Sequence, residues 1–269
     1  MLKAVRLLDR GHLSLAIEQV KESLRDKPED IRTRLFLFEL LCMAGELDLG
    51  EEQLDQLGDR GQAIEPAVET CFQVLAGEKA RRDFFEACVE PHFLSAPPEY
   101  VGLHIEALKL QKEHRCSKAS ELLERALDLQ PALAGEVDGE VFEEFGDADV
   151  FLGPFLEVFA HKKYVWLPFE QIRWIEIVRP VESLDRIWAR AKVQASGGSL
   201  GEVRLPVIYP GSSAHPDEAM KLGRLTDWID LGQGLSRGIG QKLFLIDGQE
   251  IPMLDIEEVN FSEVDEKLD

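Results

Sequence analysis

The sequence lacks the features that mark secreted, membrane-spanning or redox-active proteins. It has only four cysteines and no Cys-x-x-Cys pair, which is typical of buried thiols in a reduced, cytosolic protein. No stretch approaches the roughly 18 apolar residues of a membrane span, and residues 1–6 lack the apolar core of a signal peptide. We therefore expect a cytoplasmic protein with no membrane insertion.

Basic residues are also scarce, because 30 lysines and arginines stand against 51 aspartates and glutamates. The formal net charge of −21 repels nucleic-acid backbones and anionic lipids, so it argues against partners of either kind. Two small basic clusters, Lys79–Arg82 and His161–Lys163, are interpreted as solvated helix ends. The expected partner is therefore another protein.

Residue patterns for catalysis, cofactor binding or metal binding are missing as well. The six histidines show no metal-ligand spacing, and no glycine-rich segment has the spacing that cradles a phosphate. Ser213, His215 and Asp217 have the residue types of a nucleophilic triad, but near neighbours in sequence seldom converge on one atom. We interpret them as a polar loop that enters a helix at Asp217. The sequence predicts no catalytic residue, no cofactor and no metal.

An acidic segment over residues 138–149 offers carboxylate oxygens but lacks the spacing of a calcium-binding loop. Its carboxylates are interpreted as solvated groups or helix caps. A further interpretation pairs Asp147 or Asp149 with Arg173 or Arg224 in a structural salt bridge.

What the sequence does contain is a repeat. Gly11–Ala16 recurs as Gly45–Gly50, 34 residues later, which is the tetratricopeptide period. In such a repeat the glycine allows the tight turn between two antiparallel helices, and Pro28 falls where the second helix of the unit ends. A third, partial match runs from Ala119 to Pro131. This architecture presents surfaces to other proteins and rarely performs chemistry itself.

The apolar pattern predicts helices throughout the first half of the chain. Within them, residues 35–43 are apolar around nearly the whole helix, which indicates full burial or a groove on one side. The predicted helices span residues 2–10, 13–26, 30–44, 47–58, about 66–88, 99–113 and 117–130.

The second half alternates in the manner of strands. We predict strands over residues 164–169 and 172–178, and a hairpin of 187–195 with 203–207 in which Pro206 places the second strand at a sheet edge. A helix is predicted over 217–228. Asp247-Gly248 predicts a type I′ hairpin between residues 243–246 and 251–254, and the acidic end over 255–269 is expected to fray.

The predicted fold is therefore α+β and multidomain, with a boundary near residue 134. Residues 1–134 form a tetratricopeptide-like α-α superhelix, and residues 135–269 form an acidic α+β domain with antiparallel strands. The second domain carries 13 basic and 26 acidic residues, a charge of −13.

A series of segments in the same order resembles one known family. These segments are Leu35–Cys42 with Gly45, Val137-Asp138-Gly139 with Phe142, Asp147-Ala148-Asp149, Leu152-Gly153-Pro154, Tyr164–Phe169 with Ile172, Leu184-Asp185 before Trp188, Tyr209–Ser212, Arg224–Trp228 and Gly238–Gln241. The chain resembles the ImpE family of bacterial type VI secretion accessory proteins, also called TagJ or SciE-type. It departs from the family pattern at Phe151 and Arg190, so no role is carried over to those two positions.

The resemblance implies a cytoplasmic, non-enzymatic adaptor. Members of the family are thought to bind an N-terminal helix of the TssB-type small subunit of the contractile sheath. Through it they influence sheath disassembly by the ClpV-type unfoldase. The alternative is a small hydrolase or ligand-binding α+β domain that docks through its tetratricopeptide-like repeats.

Candidate partner-binding residues come from both halves. On the third predicted helix, apolar side chains would form the floor of a helix-accepting groove and a charge its rim, although core packing is the competing interpretation. In the second half, exposed tryptophans paired with arginines would form a hot spot. The candidates are Phe36, Glu39, Leu40, Met43, Trp166, Arg173, Trp188, Arg224 and Trp228.

Overall fold

The structure, a computed structural model, describes residues 1–58, 65–198 and 200–262. Within these ranges, the first half of the chain contains seven helices close to the predicted positions. Each of the first four helices packs on the next, and the sixth packs on the seventh. Gly11 and Gly45 make the turns within the first two pairs with φ values of 85° and 82°. The helices are α1 (Leu2–Asp9), α2 (Leu13–Asp26), α3 (Ile31–Ala44), α4 (Leu47–Gly58), α5 (Glu65–Ala87), α6 (Glu99–Lys112) and α7 (Cys116–Leu129).

Antiparallel strands are the main regular structure in the rest of the described chain. The strands are β1 (Gly135–Val137), β2 (Glu140–Phe142), β3 (Phe145–Asp147), β4 (Phe155–Ala160), β5 (Lys163–Pro168), β6 (Ile172–Ile177), β7 (Trp188–Ala195), β8 (Gly201–Pro206), β9 (Thr226–Gly232), β10 (Leu235–Gly240), β11 (Leu243–Ile246), β12 (Gln249–Pro252) and β13 (Glu258–Phe261), with one short helix, α8 (Glu218–Lys221). This arrangement confirms the α+β class.

The strands form three sheets. The largest has eight strands in the order β2-β1-β13-β6-β7-β8-β4-β5, and all neighbouring strands in it are antiparallel. A three-stranded sheet has the order β12-β11-β3, and β9 and β10 form a separate two-stranded ribbon. The Asp247-Gly248 turn between β11 and β12 has φ values of 48° and 76°, so the predicted type I′ hairpin is confirmed.

Two predictions for the second half are wrong. The helix expected over 217–228 ends after one turn, because Gly223 adopts a φ of 60° that stops it, and the chain then enters β9. Strand β8 lies inside the sheet, between β7 and β4. Pro206 is tolerated there because it is the last residue of β8, while the pairing with β4 places Arg204 opposite Phe159.

The helices and the large sheet share one apolar core. One cluster of buried residues has members from both the helices and the sheet, with Ala4 the first in sequence and Leu235 the last. A second cluster packs on the other face of the sheet. Helix α5 lies against β4 and β5, so closely that a Cβ added at Gly77 would lie 2.9 Å from the Phe159 ring. Glu218 accepts hydrogen bonds from the backbone N–H groups of Leu13 and Ser14 at the start of α2. The two-domain division at residue 134 stays a prediction. The expected fraying of residues 255–269 is wrong for the described part, because Glu258–Phe261 form β13, which pairs with both β1 and β6. Residues 263–269 lie outside the described chain.

Candidate functional site

An open cleft separates the helices from the β-rich half. It has a volume of about 620 Å³. One wall comes from α5 and α6, with Phe84, Phe85 and Leu108. The ribbon supplies the opposite wall with Ile229 and Leu231. Ile229 is 48% exposed, so the cleft offers apolar surface that solvent reaches.

Basic side chains lie along this cleft. Arg82 donates to the carbonyl of Gly45 at 2.9 Å, and Lys112 lies at the end of α6 beside Cys88. Glu78 accepts a hydrogen bond of 3.2 Å from the indole N–H of Trp188, one of the predicted partner-binding residues. The cleft therefore combines apolar walls with charged groups that can fix the orientation of a bound segment.

A buried ionic network at the floor of the cleft links α5 to the sheet. Glu157 on β4 accepts two hydrogen bonds from Arg81, of 2.7 and 3.1 Å, and one of 2.6 Å from the Tyr164 hydroxyl. Lys242 lies 2.8 Å from the same carboxylate and 2.6 Å from Asp147. Burial alone would raise the pKa of Glu157, but Arg81 and Lys242 outweigh it and lower that pKa to about 2. The carboxylate is thus held ionised and fully hydrogen-bonded, which suits a structural tie between α5 and the sheet.

The network corrects two interpretations of the sequence. Arg81, placed among solvated helix ends, is only 2% exposed. The ion-pair partners of Asp147 and Asp149 are Lys242 and Arg237, not Arg173 or Arg224. Both carboxylates are buried, so each requires a cation at contact distance, which only these two basic residues supply within the described ion pairs. Burial raises the pKa of Asp147 despite the nearby ammonium group.

A second, smaller cavity of about 210 Å³ lies beside the first helix pair. It brings together three of the predicted partner-binding residues, Phe36, Met43 and Arg224. Arg224 donates hydrogen bonds to the carbonyls of Leu8 and Asp9 at the end of α1, at 2.7 and 3.0 Å. The cavity therefore lies at the junction of α1, α3 and the β-rich half.

Glu39 lies near this cavity, on α3. Burial and the neighbouring carboxylates of Glu182 and Asp185 raise its pKa to about 7, although a hydrogen bond with Ser183 acts in the opposite direction. A carboxyl group with this pKa changes charge near neutral pH.

Five of the predicted partner-binding residues are buried in the apolar core: Phe36, Leu40, Met43, Trp166 and Trp188. Leu40 and Trp166 have no exposed surface, and Trp166 stacks on Phe155 with ring centroids 4.3 Å apart. The side chain of Leu40 is part of the core cluster, and α3 packs mainly between α2 and α4. Leu40 and Trp166 are therefore corrected from partner contacts to core packing.

Arg173 and Trp228 lie away from both cavities. Arg173 is exposed on β6, and Trp228 on β9 packs against the Tyr209 ring with centroids 5.8 Å apart. The predicted set is thus divided between two cavities, the core and separate surfaces. No partner contact of any of these residues is tested by the fold, so a binding role stays a prediction for those with accessible surface.

The triad-like residues form a polar loop, as interpreted from the sequence. The backbone N–H of Asp217 donates to Nδ1 of His215 at 3.1 Å, and the Asp217 carboxylate caps α8 through the N–H of Ala219 at 2.8 Å. Ser213 lies in a 3-10 turn at the cleft instead of facing the histidine ring nitrogen as a nucleophile would. Within the described ranges, no three His, Cys, Asp or Glu side chains lie close enough to hold a metal ion.

The most informative residues were missed because their partners are far away in sequence. Arg81 and Glu157 are separated by 76 positions, and Lys242 and Asp147 by 95. Glu157 and Asp147 lie in strands that are otherwise apolar, and a charged residue in such a strand was the available signal in the sequence.

Among the helices of the described residues, none has both the length and the apolar character needed to cross a bilayer.

Comparison with known proteins now adds to this geometry. The family model described as ImpE protein matches residues 139–260. The type VI secretion system accessory component TagJ of Pseudomonas aeruginosa is 32% identical over 262 residues, which cover 97% of this chain and 92% of that protein. A crystal structure of a Vibrio parahaemolyticus protein has the same fold, with a TM-score of 0.90 and 23% identity over 97% of both chains.

The fold and the site define a class of α+β protein in which helical hairpins and an antiparallel sheet enclose an apolar cleft between them. Within this class, the chain belongs to the ImpE/TagJ family of type VI secretion accessory proteins. The resemblance found in the sequence is thereby confirmed.

Proposed function

We propose that this protein is a non-enzymatic accessory adaptor of the type VI secretion apparatus that holds a partner helix in its 620 Å³ cleft. In this proposal residues 1–134 are a tetratricopeptide-like superhelix and residues 135–269 an α+β domain that closes one side of the cleft. The observation that carries the proposal is the apolar cleft itself, open to solvent between the two halves.

The lining of the cleft suits an amphipathic helix. Such a helix presents apolar side chains at positions i, i+3, i+4 and i+7, and these need apolar walls on both sides. Phe85 and Leu108 face the cleft from the helices, and Ile229 and Leu231 face it from the ribbon. The volume exceeds the space that a single side chain fills, so several anchors of one helix face enter together.

The proposed partner is the TssB-type small subunit of the sheath, through its N-terminal helix, with the ClpV-type unfoldase affected indirectly. Support comes from the similarity to the Pseudomonas relative, a type VI accessory component, and from the family resemblance. The net charge of −21 favours fast association with a basic face on that partner. The family resemblance also implies a cytoplasmic location, which is part of the proposal.

A non-enzymatic role is supported by the state of the polar groups near the cleft. Glu157 is fully occupied by Arg81, Tyr164 and Lys242, so it is not available as an acid or base. His215 is held by the backbone of Asp217.

The test is titration calorimetry with a peptide of the sheath small subunit's N-terminal helix and a scrambled peptide of the same composition. Binding of the true peptide alone supports the proposal. Ile229→Asp places a charge on the cleft wall and is expected to weaken binding at least tenfold, since a buried unpaired carboxylate opposes an apolar contact. Leu245→Asp is the matched control, because Leu245 is 41% exposed on β11 outside the cleft.

Two outcomes would refute the proposal. If the true peptide gives no heat at saturating concentration, the sheath helix is not the partner. If it binds but Ile229→Asp and Leu245→Asp behave alike, the helix lies somewhere other than the cleft. In either case the hydrolase or ligand-binding alternative would be the next to examine.

A further inference from the structure

The 210 Å³ cavity beside α1 is built differently from the cleft. Its floor is apolar, formed by Leu8, Phe36, Met43, Ile187 and Leu222. The cavity is larger than the roughly 150 Å³ cavity that accepts benzene. An aromatic side chain therefore fits inside it, with the Met43 thioether available for a contact with the ring.

The mouth of this cavity carries an unpaired cation. Arg186 lines the cavity, is exposed, and has no hydrogen-bond or ion-pair partner among the described residues. The other charges at the mouth are engaged or offset. Glu182 caps the 3-10 turn Ser183–Arg186 through the backbone of Asp185, and Arg224 is hydrogen-bonded to the backbone carbonyls of Leu8 and Asp9. The group left to be matched by a ligand is thus the Arg186 guanidinium.

Apolar surface continues outside the cavity. Val5 and Val181 line its mouth and are 38% and 82% exposed. Leu2, 79% exposed, lies three residues before Val5 and so on the same face of α1. A small free ligand inside the cavity would leave these apolar side chains around the mouth exposed to water. A protein segment lying across the mouth would cover them.

We propose that this cavity is a second docking site, which receives an aromatic side chain from a partner protein together with a carboxylate next to that side chain in the partner's sequence. The ring fills the cavity, the carboxylate pairs with Arg186, and the flanking backbone covers Val5 and Val181. An aromatic anchor in a desolvated pocket, beside an arginine, is the arrangement that supplies most of the binding energy in protein interfaces. The site is distinct from the cleft and does not depend on the sheath helix as its occupant.

The experiment follows methyl NMR signals of the full chain labelled at its four methionines. The Met43 methyl group reports on the cavity, and its signal is assigned by its loss in Met43→Leu. Met253 is buried in the other core cluster, so its signal is the internal control. The probe is N-acetyl-Phe-Glu-amide, and the comparison probe is N-acetyl-Phe-Lys-amide, which carries the same ring with the opposite charge.

The expected result is a saturable shift of the Met43 signal with the glutamate probe and no shift of the Met253 signal. Arg186→Gln is expected to weaken that binding roughly tenfold, since it removes a charge-assisted hydrogen bond. Arg179→Gln is the matched control, because Arg179 is exposed nearby in sequence and pairs with Glu257 outside the cavity.

The proposal is overturned if the Met43 signal does not move at the solubility limit of the probe. It is also overturned if the lysine probe binds as well as the glutamate probe, or if Arg186→Gln and Arg179→Gln bind equally. Failure here leaves sheath-helix binding in the cleft untouched, because Ile229 and the lining of the cleft take no part in the measurement.

Discussion

The two repeat glycines provide a matched pair of substitutions that separates local backbone strain from contact between the halves of the molecule. Gly11 and Gly45 occupy equivalent turns with φ values of 85° and 82°, so alanine is strained at both. A Cβ at position 45 would lie 2.5 Å from the Cβ of Ser213 and 2.7 Å from its hydroxyl oxygen. A Cβ at position 11 would meet only the Arg224 guanidinium, at 3.5 Å.

The expected destabilisation follows from these distances. A left-handed conformation costs a residue with a Cβ about 1–2 kcal/mol. The smaller entropy of the unfolded alanine chain offsets about 0.4–1 kcal/mol of this. Gly11→Ala should therefore cost on the order of 1 kcal/mol. Gly45→Ala adds the overlap with Ser213, and forcing an extra methyl group into a packed site costs about 1–3 kcal/mol more.

The assay is urea unfolding followed by circular dichroism, with the free energy of unfolding compared among the wild type, Gly11→Ala and Gly45→Ala. A double-mutant cycle completes it: in a Ser213→Gly background, Gly45→Ala should lose its additional cost and behave like Gly11→Ala. Equal destabilisation by the two single substitutions, or no coupling with Ser213, would show that the helix turn and the β-rich half are not in close contact here.

Three further predictions concern buried charge. Because the pKa of Glu39 is raised to about 7, its stabilising contribution is complete below pH 4.5 and lost as pH rises through 7. Glu39→Gln should therefore match the wild type at pH 4 and exceed its stability at pH 8 by at most about 3 kcal/mol in chemical denaturation. Arg81→Met leaves a buried carboxylate without its main partner and should cost about 3–5 kcal/mol, whereas the exposed pair member Lys21→Met should cost under about 1 kcal/mol. Burial lowers the pKa of His104 to about 4, so stability is lost as pH falls from 6.5 through 4, and His104→Asn should flatten that part of the stability profile. Parallel pH profiles for wild type and variants, or equal costs at positions 81 and 21, would contradict these assignments.

Much of the fold could be predicted because its signals are local. Helix bounds such as Leu13–Asp26 follow from apolar periodicity and from the repeated glycine turns, and both lie within a few residues of one another in sequence. The β11–β12 hairpin follows from Asp247-Gly248, whose backbone preference decides the turn. These features need no knowledge of what packs against them.

The ribbon of β9 and β10 could not be predicted on the same basis. The segment around Trp228 has apolar residues at spacings that suit either a helix or a strand, and the choice is made by contacts outside it. Trp228 packs on Tyr209, and the backbone at Gly238 approaches that ring so closely that a Cβ would overlap it. Tertiary contacts of this kind override local propensity.

Three of the predicted partner-binding residues line a cavity, and the reason why the sequence could not say more is physical. A helix that is apolar all round, such as α3, must be covered on several sides, and sequence alone does not say by what. Here α3 packs mainly on α2 and α4 and also contacts short turns of the β-rich half, and Leu40 is fully buried. Phe36 and Met43, on the same helix, reach a cavity because coverage is incomplete at the α1 side.

Both cavities lie at the junction between the helices and the sheet, so binding there acts on the contacts that join them. Arg81 lines the cleft and also holds Glu157 on β4, so the same side chain faces a bound partner and ties α5 to the sheet. Tyr209 also lines the cleft, and its hydroxyl donates to Asp147 at 3.0 Å within the β-rich half. Of these two residues, only Arg81 joins a helix to the sheet. Ligands that bind only the folded arrangement stabilise it by mass action, so a partner held in the cleft is expected to raise the free energy of unfolding.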